Sequence, residues 1–329
     1  ENMQKYLIEN KNVSAYDMQG LNRLSTGDAR ADVGAFAFEG KMLDATKLLR
    51  RIFVSHNSEY VLAESEAGRE LMGKTFYTPF TWLGDALEYI RTVRENNVTG
   101  AREATFEIYV AAGTYTPKYQ RPDDTGTQIP VIDLRQNSFI VPYGVKIYGG
   151  FTGEEKYSSN VEGETIDKIT FESGEISFTS LTDDNVNALL TSRDGSDFND
   201  NQVKDAWEMA EQTILSGNIN LSNEEQNVYH VIYSAKDADY TGEQKVLLDG
   251  VTIQDGRTLK EVGDVQDAPK GRGGGIYSNG VHYTVVNSRL LNNKAVRGGA
   301  AFIQNADLTL VNSMVAGNET WKEGNIVTN

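Results

Sequence analysis

Gly273-Gly274-Gly275-Ile276-Tyr277 is followed 25 residues later by Gly298-Gly299-Ala300-Ala301-Phe302. Val286-Asn287-Ser288-Arg289-Leu290-Leu291-Asn292-Asn293 is followed at the same interval by Val311-Asn312-Ser313-Met314-Val315-Ala316-Gly317-Asn318. The glycines, the Asn-Ser step, the apolar positions and the closing Asn match in both blocks. A weaker copy, Leu248-Asp249-Gly250-Val251-Thr252-Ile253-Gln254-Asp255, lies 38 residues before Val286, the excess falling in the polar segment 256–270. A repeat of about 25 residues built from short strands fits few architectures. The fixed Leu ladder of leucine-rich repeats is missing, and propeller repeats run longer, at about 40–45 residues. A parallel β-helix remains, each coil lying about 4.8 Å along the axis from the last. Its ladders would place Leu248, Val286 and Val311 together in the interior, and likewise Ile253, Leu291 and Ala316. Asn293 and Asn318 would sit where the chain turns, their amides bonding to the neighbouring coil and their backbones tolerating the left-handed region. Gly274 and Gly299 suit another tight corner.

Upstream, the same alphabet of short strands recurs. Phe106–Val110, Ser138–Val141, Val145–Tyr148, Thr213–Leu215, Val228–Tyr233, Lys245–Leu248 and Val251–Ile253 are short apolar runs bounded by Gly, Asn or Asp. Long polar insertions, 152–210 and 234–244, separate some of them. Helical periodicity is strong at Trp82, Leu83, Ala86, Leu87, Ile90 and Val93, which predicts a helix over 82–95. Thr81 suits its N-cap and Asn96-Asn97 its stop. A weaker helical stretch covers Met42 to Leu49.

Composition supports this class. Thirty-one Gly and sixteen Tyr against six Pro and six Met argue for strands and turns over a helical bundle. Forty-seven acidic against thirty-one basic residues leave a net charge of −16, which repels nucleic-acid phosphates and anionic lipid. No stretch reaches the roughly 18 apolar residues of a membrane-spanning helix. The absence of cysteine excludes disulfides, thiolate metal sites and a Cys nucleophile. The start, Glu1-Asn2-Met3-Gln4, has no charged leader before an apolar run.

With these elements in order, the sequence resembles a family of right-handed parallel β-helix surface proteins of Bacteroidetes-type bacteria, similar in style to chlamydial polymorphic outer-membrane proteins and to the pectate-lyase-like solenoid. Ile108-Tyr109-Val110-Ala111-Ala112-Gly113-Thr114-Tyr115-Thr116-Pro117 resembles the opening coil. Val145-Lys146-Ile147-Tyr148-Gly149-Gly150-Phe151, then Thr213-Ile214-Leu215-Ser216-Gly217-Asn218, then Val228-Tyr229-His230-Val231-Ile232 follow in the family's order. The helix at Trp82 stands where the family places an N-terminal cap. Asp17–Arg23 with Ala31–Phe38 looks like the closing segment of such a unit. The resemblance thus implies an all-β fold, a right-handed parallel β-helix with an N-terminal helical cap. It implies residues 1–39 closing a preceding unit, 40–104 as linker and cap, and 105–329 as coils that continue in a longer polypeptide.

Solenoids of this shape also host polysaccharide lyases and hydrolases, so acid pairs matter. Asp123-Asp124 and Asp183-Asp184 lie in polar insertions and read as solvated loops. Asp249, Asp255, Arg257, Arg272, His282 and Arg289 could gather on one side of neighbouring coils, but no spacing forces convergence, and they read as surface residues. His56, His230 and His282 have no partner at metal-ligand spacing, and His230, between Tyr229 and Val231, reads as a partly exposed strand residue. Gly271–Gly275 lacks the following helix of a phosphate cradle and reads as a corner. Asp197, Asn199, Asn201, Asp205 and Glu208 occupy positions 1, 3, 5, 9 and 12 of a calcium loop of the EF-hand kind. Gln202 stands where that loop needs Gly, so a structural Ca²⁺ is the weaker reading. Tyr143, Tyr148, Tyr157 and Tyr229 could form a sugar-stacking face, though stacking between coils explains them better. No catalytic, cofactor or metal residue is therefore assigned. The expected role is a non-enzymatic adhesin or structural stalk on the bacterial cell surface, with glycans, cell-surface proteins or further coils of its own polypeptide as partners. A glycan-binding module or a polysaccharide lyase or hydrolase is the alternative.

Overall fold

Three parallel sheets, each collecting one strand from successive laps of the chain, organise the protein. The computed structural model describes residues 48–56, 71–117, 134–161, 165–171, 174–193, 208–209, 211–219, 223–259 and 269–328. The segment resembling a closing unit, nearly all of the Met42–Leu49 stretch, Asp123-Asp124 and most of the calcium-loop residues lie outside them. In chain order the elements are β1 (Arg51–Val54), α1 (Leu83–Glu95), β2 (Phe106–Ala111), β3 (Gly113–Tyr115), β4 (Phe139–Ile140) and β5 (Val145–Phe151). Then come β6 (Tyr157–Ser159), β7 (Lys168–Phe171), β8 (Gly174–Ser177), β9 (Thr179–Leu181), α2 (Val186–Thr191), β10 (Thr213–Ser216) and β11 (Ile232–Ala235). Three further laps follow. They are β12 (Lys245–Asp249), β13 (Val251–Gln254) and β14 (Ile276–Asn279), then β15 (His282–Val286), β16 (Arg289–Leu291), β17 (Lys294–Arg297) and β18 (Ala301–Gln304), then β19 (Leu308–Val311), β20 (Met314–Ala316), β21 (Glu319–Glu323) and β22 (Ile326–Thr328).

Sheet I has the order β1-β2-β5-β12-β15-β19, sheet II β3-β10-β13-β16-β20, and sheet III β4-β11-β14-β18-β22. The described residues are mostly β, with parallel sheets and no closed barrel among them. From β2 onward each lap visits sheet I, then II, then III. Period-two alternation sends one side chain of each rung inward. Sheet I stacks Ile52, Ile108, Ile147, Leu248, Val285 and Leu310. Sheet II stacks Tyr115, Leu215, Ile253, Leu290 and Val315. Sheet III stacks Phe139, Ile232, Ile276, Ala301 and Ile326. The 25-residue register of the last two laps is as the repeat requires, with Ile276 beside Ala301 and Val286 beside Val311.

The expected interior ladders are off by one residue. Asp249, not Leu248, pairs with Val286, so the third lap is offset by 37 residues rather than 38. A one-residue slip in a strand exchanges its two faces. Val286 and Val311 therefore face outward, and Leu290 and Val315 take the interior places expected of Leu291 and Ala316. The corners fix this register. Gly250, Asn287 and Asn312 are left-handed, with φ of 74°, 48° and 46°, and so are Asp255, Asn292 and Gly317 one corner later. The left-handed residue is thus Asn292, beside the Asn293 expected to adopt it.

Asn293 does what its expected place demands. Its Nδ2 donates to the Ile253 carbonyl (3.0 Å) and to Asn318 Oδ1 (3.1 Å), and its Oδ1 accepts from Gly256 N (2.9 Å). Asn318 Nδ2 in turn donates to the Leu290 carbonyl at 2.7 Å. One buried side chain thus satisfies two backbone groups of the preceding lap and is itself tied to the Asn of the next. At the glycine corner the left-handed residues are Gly273 and Gly298 rather than Gly274 and Gly299. Gly274 is required by proximity, since a Cβ there would lie 2.8 Å from the Gly299 and Lys294 carbonyl oxygens.

Helix α1 follows its apolar stripe, burying Leu83, Ala86, Leu87, Ile90 and Val93, and packs against β1, β2 and β4. Its N-cap is Trp82, not Thr81; the cap is extended backbone without a side-chain hydrogen bond. Asn96 ends it and Asn97 turns left-handed at φ 52°. The strand expected from Val228 begins at Ile232 instead. Val228 N and Tyr229 N bond to Gly217 O and Arg135 O, which are outside any ladder. The insertion after β5 is less polar in effect than in composition. Ile169, Phe171, Phe178, Leu181 and Leu189 bury themselves with Phe53, Phe76, Tyr77, Tyr109, Tyr148 and Phe151, forming a second core on the outer face of sheet I.

Candidate functional site

The residues singled out by sequence are distributed rather than gathered. Asp249 is buried and paired with Arg193, whose NH2 donates to Oδ2 at 3.1 Å, while Asn287 Nδ2 donates to Oδ1 at 3.1 Å. Arg193 also donates to the Gly149 carbonyl (3.1 Å) and lies over Tyr148 and Phe151. This buried pair clamps the second core to the corner between sheets I and II. Arg193 itself carries no sequence signal, because its partner is 56 residues away. Asp255 accepts from Ser216 Oγ and Gln254 Nε2. Arg257 faces Glu224 and Glu225 at 3.4 and 3.7 Å. Arg272 lies over the Phe302 ring and reaches Gln304. Arg289 donates to Thr252 Oγ1 at 3.0 Å; burial lowers its pKa and Glu208 opposes that. Asp183 is exposed and pairs with Arg51, and Asp184 is exposed.

Histidines are equally separate. His56 stacks on Tyr115 (4.0 Å between ring centres) and meets Trp82 edge-on at 4.8 Å. His230 is fully buried, correcting its expected partial exposure. It lies beyond the end of the strand, with Nδ1 2.8 Å from the Gly273 carbonyl and its ring 5.4 Å from Tyr277. Among the described residues, no three His, Asp or Glu side chains are placed to hold a metal ion.

Nor do the tyrosines share a face. Tyr148 stacks on Tyr109 at 5.6 Å within the second core, where burial pushes its phenol up to about 12. Tyr157 packs against the same core. Tyr229 lies under Arg135, and Tyr143 is sandwiched between Arg94 (4.1 Å) and Tyr240 (4.3 Å). Stacking between laps, as expected, holds for Tyr148 on Tyr109, and it also accounts for Tyr233, Tyr277 and Phe302 on sheet III.

Sequence reasoning passed over a cleft at the turn from sheet III to sheet I. It has a volume of about 480 Å³ and is lined by Lys236, Glu243, Gln244, Asn279, His282 and Asn305. It exists because residues 236–244 form a long corner beside two short ones, 280–281 and 305–307. Gln244 is buried and closes the long corner on itself. Its Oε1 accepts from Asp237 N (2.9 Å) and its Nε2 donates to the Asp237 carbonyl (2.7 Å). Tyr240, stacked on Tyr143, anchors the tip. On the facing side Asn305 Nδ2 donates to Asn279 Oδ1 at 3.1 Å, and His282 Nδ1 accepts from Asp307 N at 3.1 Å. The repeat held a clue, since Gly280 and Asn305 stand at the 25-residue offset and are both left-handed. Comparison with protein-family models, curated proteins and solved structures finds no match for this chain.

Proposed function

We propose that the chain is a right-handed parallel β-helix, with α1 as its N-terminal cap, serving as a non-enzymatic adhesin or structural stalk on a bacterial cell surface. The observation that carries this reading is the vertical register, in which inward-facing residues of three sheets stack from lap to lap, with one shift between Tyr109 and Ala111 where β2 pairs β5. Such a stack is stiff and repetitive, and its polar corners are tied lap to lap. It suits a scaffold that holds surfaces away from a membrane. Net charge of −16 favours solubility and discourages self-association. The acids and bases that a lyase or hydrolase would bring together are each engaged with different partners, which favours display over turnover.

The test is protease shaving of intact cells that make the full-length product, followed by blotting for this segment. Loss of the signal without lysis is expected. A signal that survives shaving and vanishes only after lysis would contradict the surface role. Release of unsaturated or reducing oligosaccharides by the purified chain would replace the scaffold reading with an enzyme.

A further inference from the structure

We infer that the cleft between residues 236–244 and the two short corners beside it is a binding subsite for a short neutral oligosaccharide, gripped through neighbouring hydroxyl groups. The inference rests on the display-scaffold reading and adds what the scaffold would engage.

Three features lead there. The first is size and shape. About 480 Å³ lies within the range of small-molecule sites, and the wall is set before any ligand arrives. Gln244 locks the long corner, Tyr240 is held against Tyr143, and Lys236 N donates to the Asn279 carbonyl at 2.8 Å. The stem of Lys236 crosses Gly280, where a Cβ would come within 2.8 Å of Lys236 Cβ. A side chain at Gly280 would displace the lysine and narrow the floor.

The second is chemistry. No large apolar side chain lines the cleft, which disfavours a lipid or an aromatic ligand. The lining is instead a set of hydrogen-bonding groups. Asn305 and Asn279 are linked by one bond, which leaves Asn279 Nδ2 as a donor and Asn305 Oδ1 as an acceptor without a partner among the described residues. Adjacent hydroxyls, each both donor and acceptor, complement such a pair. His282 Nδ1 lies 3.1 Å from both Asp307 N and Asp307 Oδ2, so Nε2 donates or accepts according to the tautomer a hydroxyl selects.

The third is charge. Lys236 and Glu243 carry the lining's one positive and one negative side chain, Glu243 being ion-paired with Lys245 at 2.7 Å. The Glu243 carboxyl is held below its ordinary range by its hydrogen bond to Lys245, so it stays ionised. A cleft with balanced charges favours an uncharged ligand over a uronate.

The experiment titrates the intact chain with cellotriose, mannotriose, laminaritriose, N,N′-diacetylchitobiose and trigalacturonate, followed by saturation-transfer NMR and calorimetry. Binding of at least one neutral sugar is expected. The Asn279→Ala/Asn305→Gly double variant, altered at two exposed positions and keeping a residue that tolerates the left-handed backbone at 305, should weaken it about tenfold with the melting temperature essentially retained. Absence of binding by every neutral sugar at millimolar concentration would overturn the inference. So would affinity unchanged in the double variant, or binding of trigalacturonate alone that is lost in Lys236→Ala. None of these failures touches the shaving experiment, so the subsite and the scaffold stand or fall separately.

Discussion

On the outer face of sheet I, one row of equivalent positions reads Phe53, Tyr109, Tyr148, Asp249, Val286, Val311. The first three are buried beneath the insertion that carries β6–β9 and α2; Val286 is half-exposed and Val311 is 41% exposed. The inward row beside it, Ile52 to Leu310, is aliphatic at every rung. The laps obey one rule inside and two outside. Inner positions answer to the neighbouring lap, while outer positions answer to whatever lies across the sheet. Asp249 stands at the border, closing the covered region with a charge that Arg193 neutralises.

Breaking that border should have the largest effect. Arg193→Met leaves Asp249 buried without its cation and should cost about 3–5 kcal/mol, with proteolysis rising first within 157–193. Replacing both, Arg193→Met with Asp249→Leu, should recover most of the loss in a chemical-denaturation series. Next, Leu290→Ala opens the fully buried interior of a lap and should cost about 2–5 kcal/mol. Val311→Ala, on the open outer row, should stay within about 0.5 kcal/mol. Equal costs would show that the inside–outside distinction is wrong. Asn293→Ala strips partners from Gly256 N and the Ile253 carbonyl and should cost about 1–3 kcal/mol. Asn318→Ala, in a less buried lap, should cost less.

The electrostatic effect is also small. Burial raises the Glu107 carboxyl, but hydrogen bonds from Lys146, Tyr109 and Arg51 outweigh it and hold the pKa below its ordinary 4.5. A depressed carboxylate stabilises the fold above that value, and the contribution fades as pH falls through the folded pKa. Glu107→Gln should therefore flatten the stability profile below about pH 4.5 and lower stability at neutral pH by no more than about 1 kcal/mol.

Much of the architecture was legible because close-packed laps repeat their corners at a fixed interval. The pairs Ile276–Ala301 and Asn293–Asn318 follow from the 25-residue spacing alone. The weaker copy at Leu248 went one residue astray because apolar residues flank the corner on both faces, so hydrophobicity could not choose between two registers. Matching left-handed residues, Gly250 with Asn287 and Asp255 with Asn292, would have chosen correctly. The second core was hidden because Ile169, Phe171, Phe178 and Leu189 are thinly spread through polar sequence and find each other only across the sheet. His230 was misplaced for a related reason. Its neighbours Tyr277 and Gly273 are brought in by the next lap, more than forty residues on. The cleft draws on three laps at once, and no single window of sequence contains its donor–acceptor pair.

Register can be tested most directly by cross-linking, since the chain has no cysteine of its own. Thr284 and Thr309 are partners on β15 and β19, both pointing outward. Their Cα atoms are separated by about 4.8 Å, inside the range a disulfide spans. Thr284→Cys with Thr309→Cys should oxidise to an intramolecular disulfide that peptide mapping recovers in high yield. Thr284→Cys with Val311→Cys, two residues further along and about 8 Å away, should remain reduced under the same conditions. Efficient closure of the second pair and failure of the first would contradict the lap-on-lap register from which the fold and its function are argued.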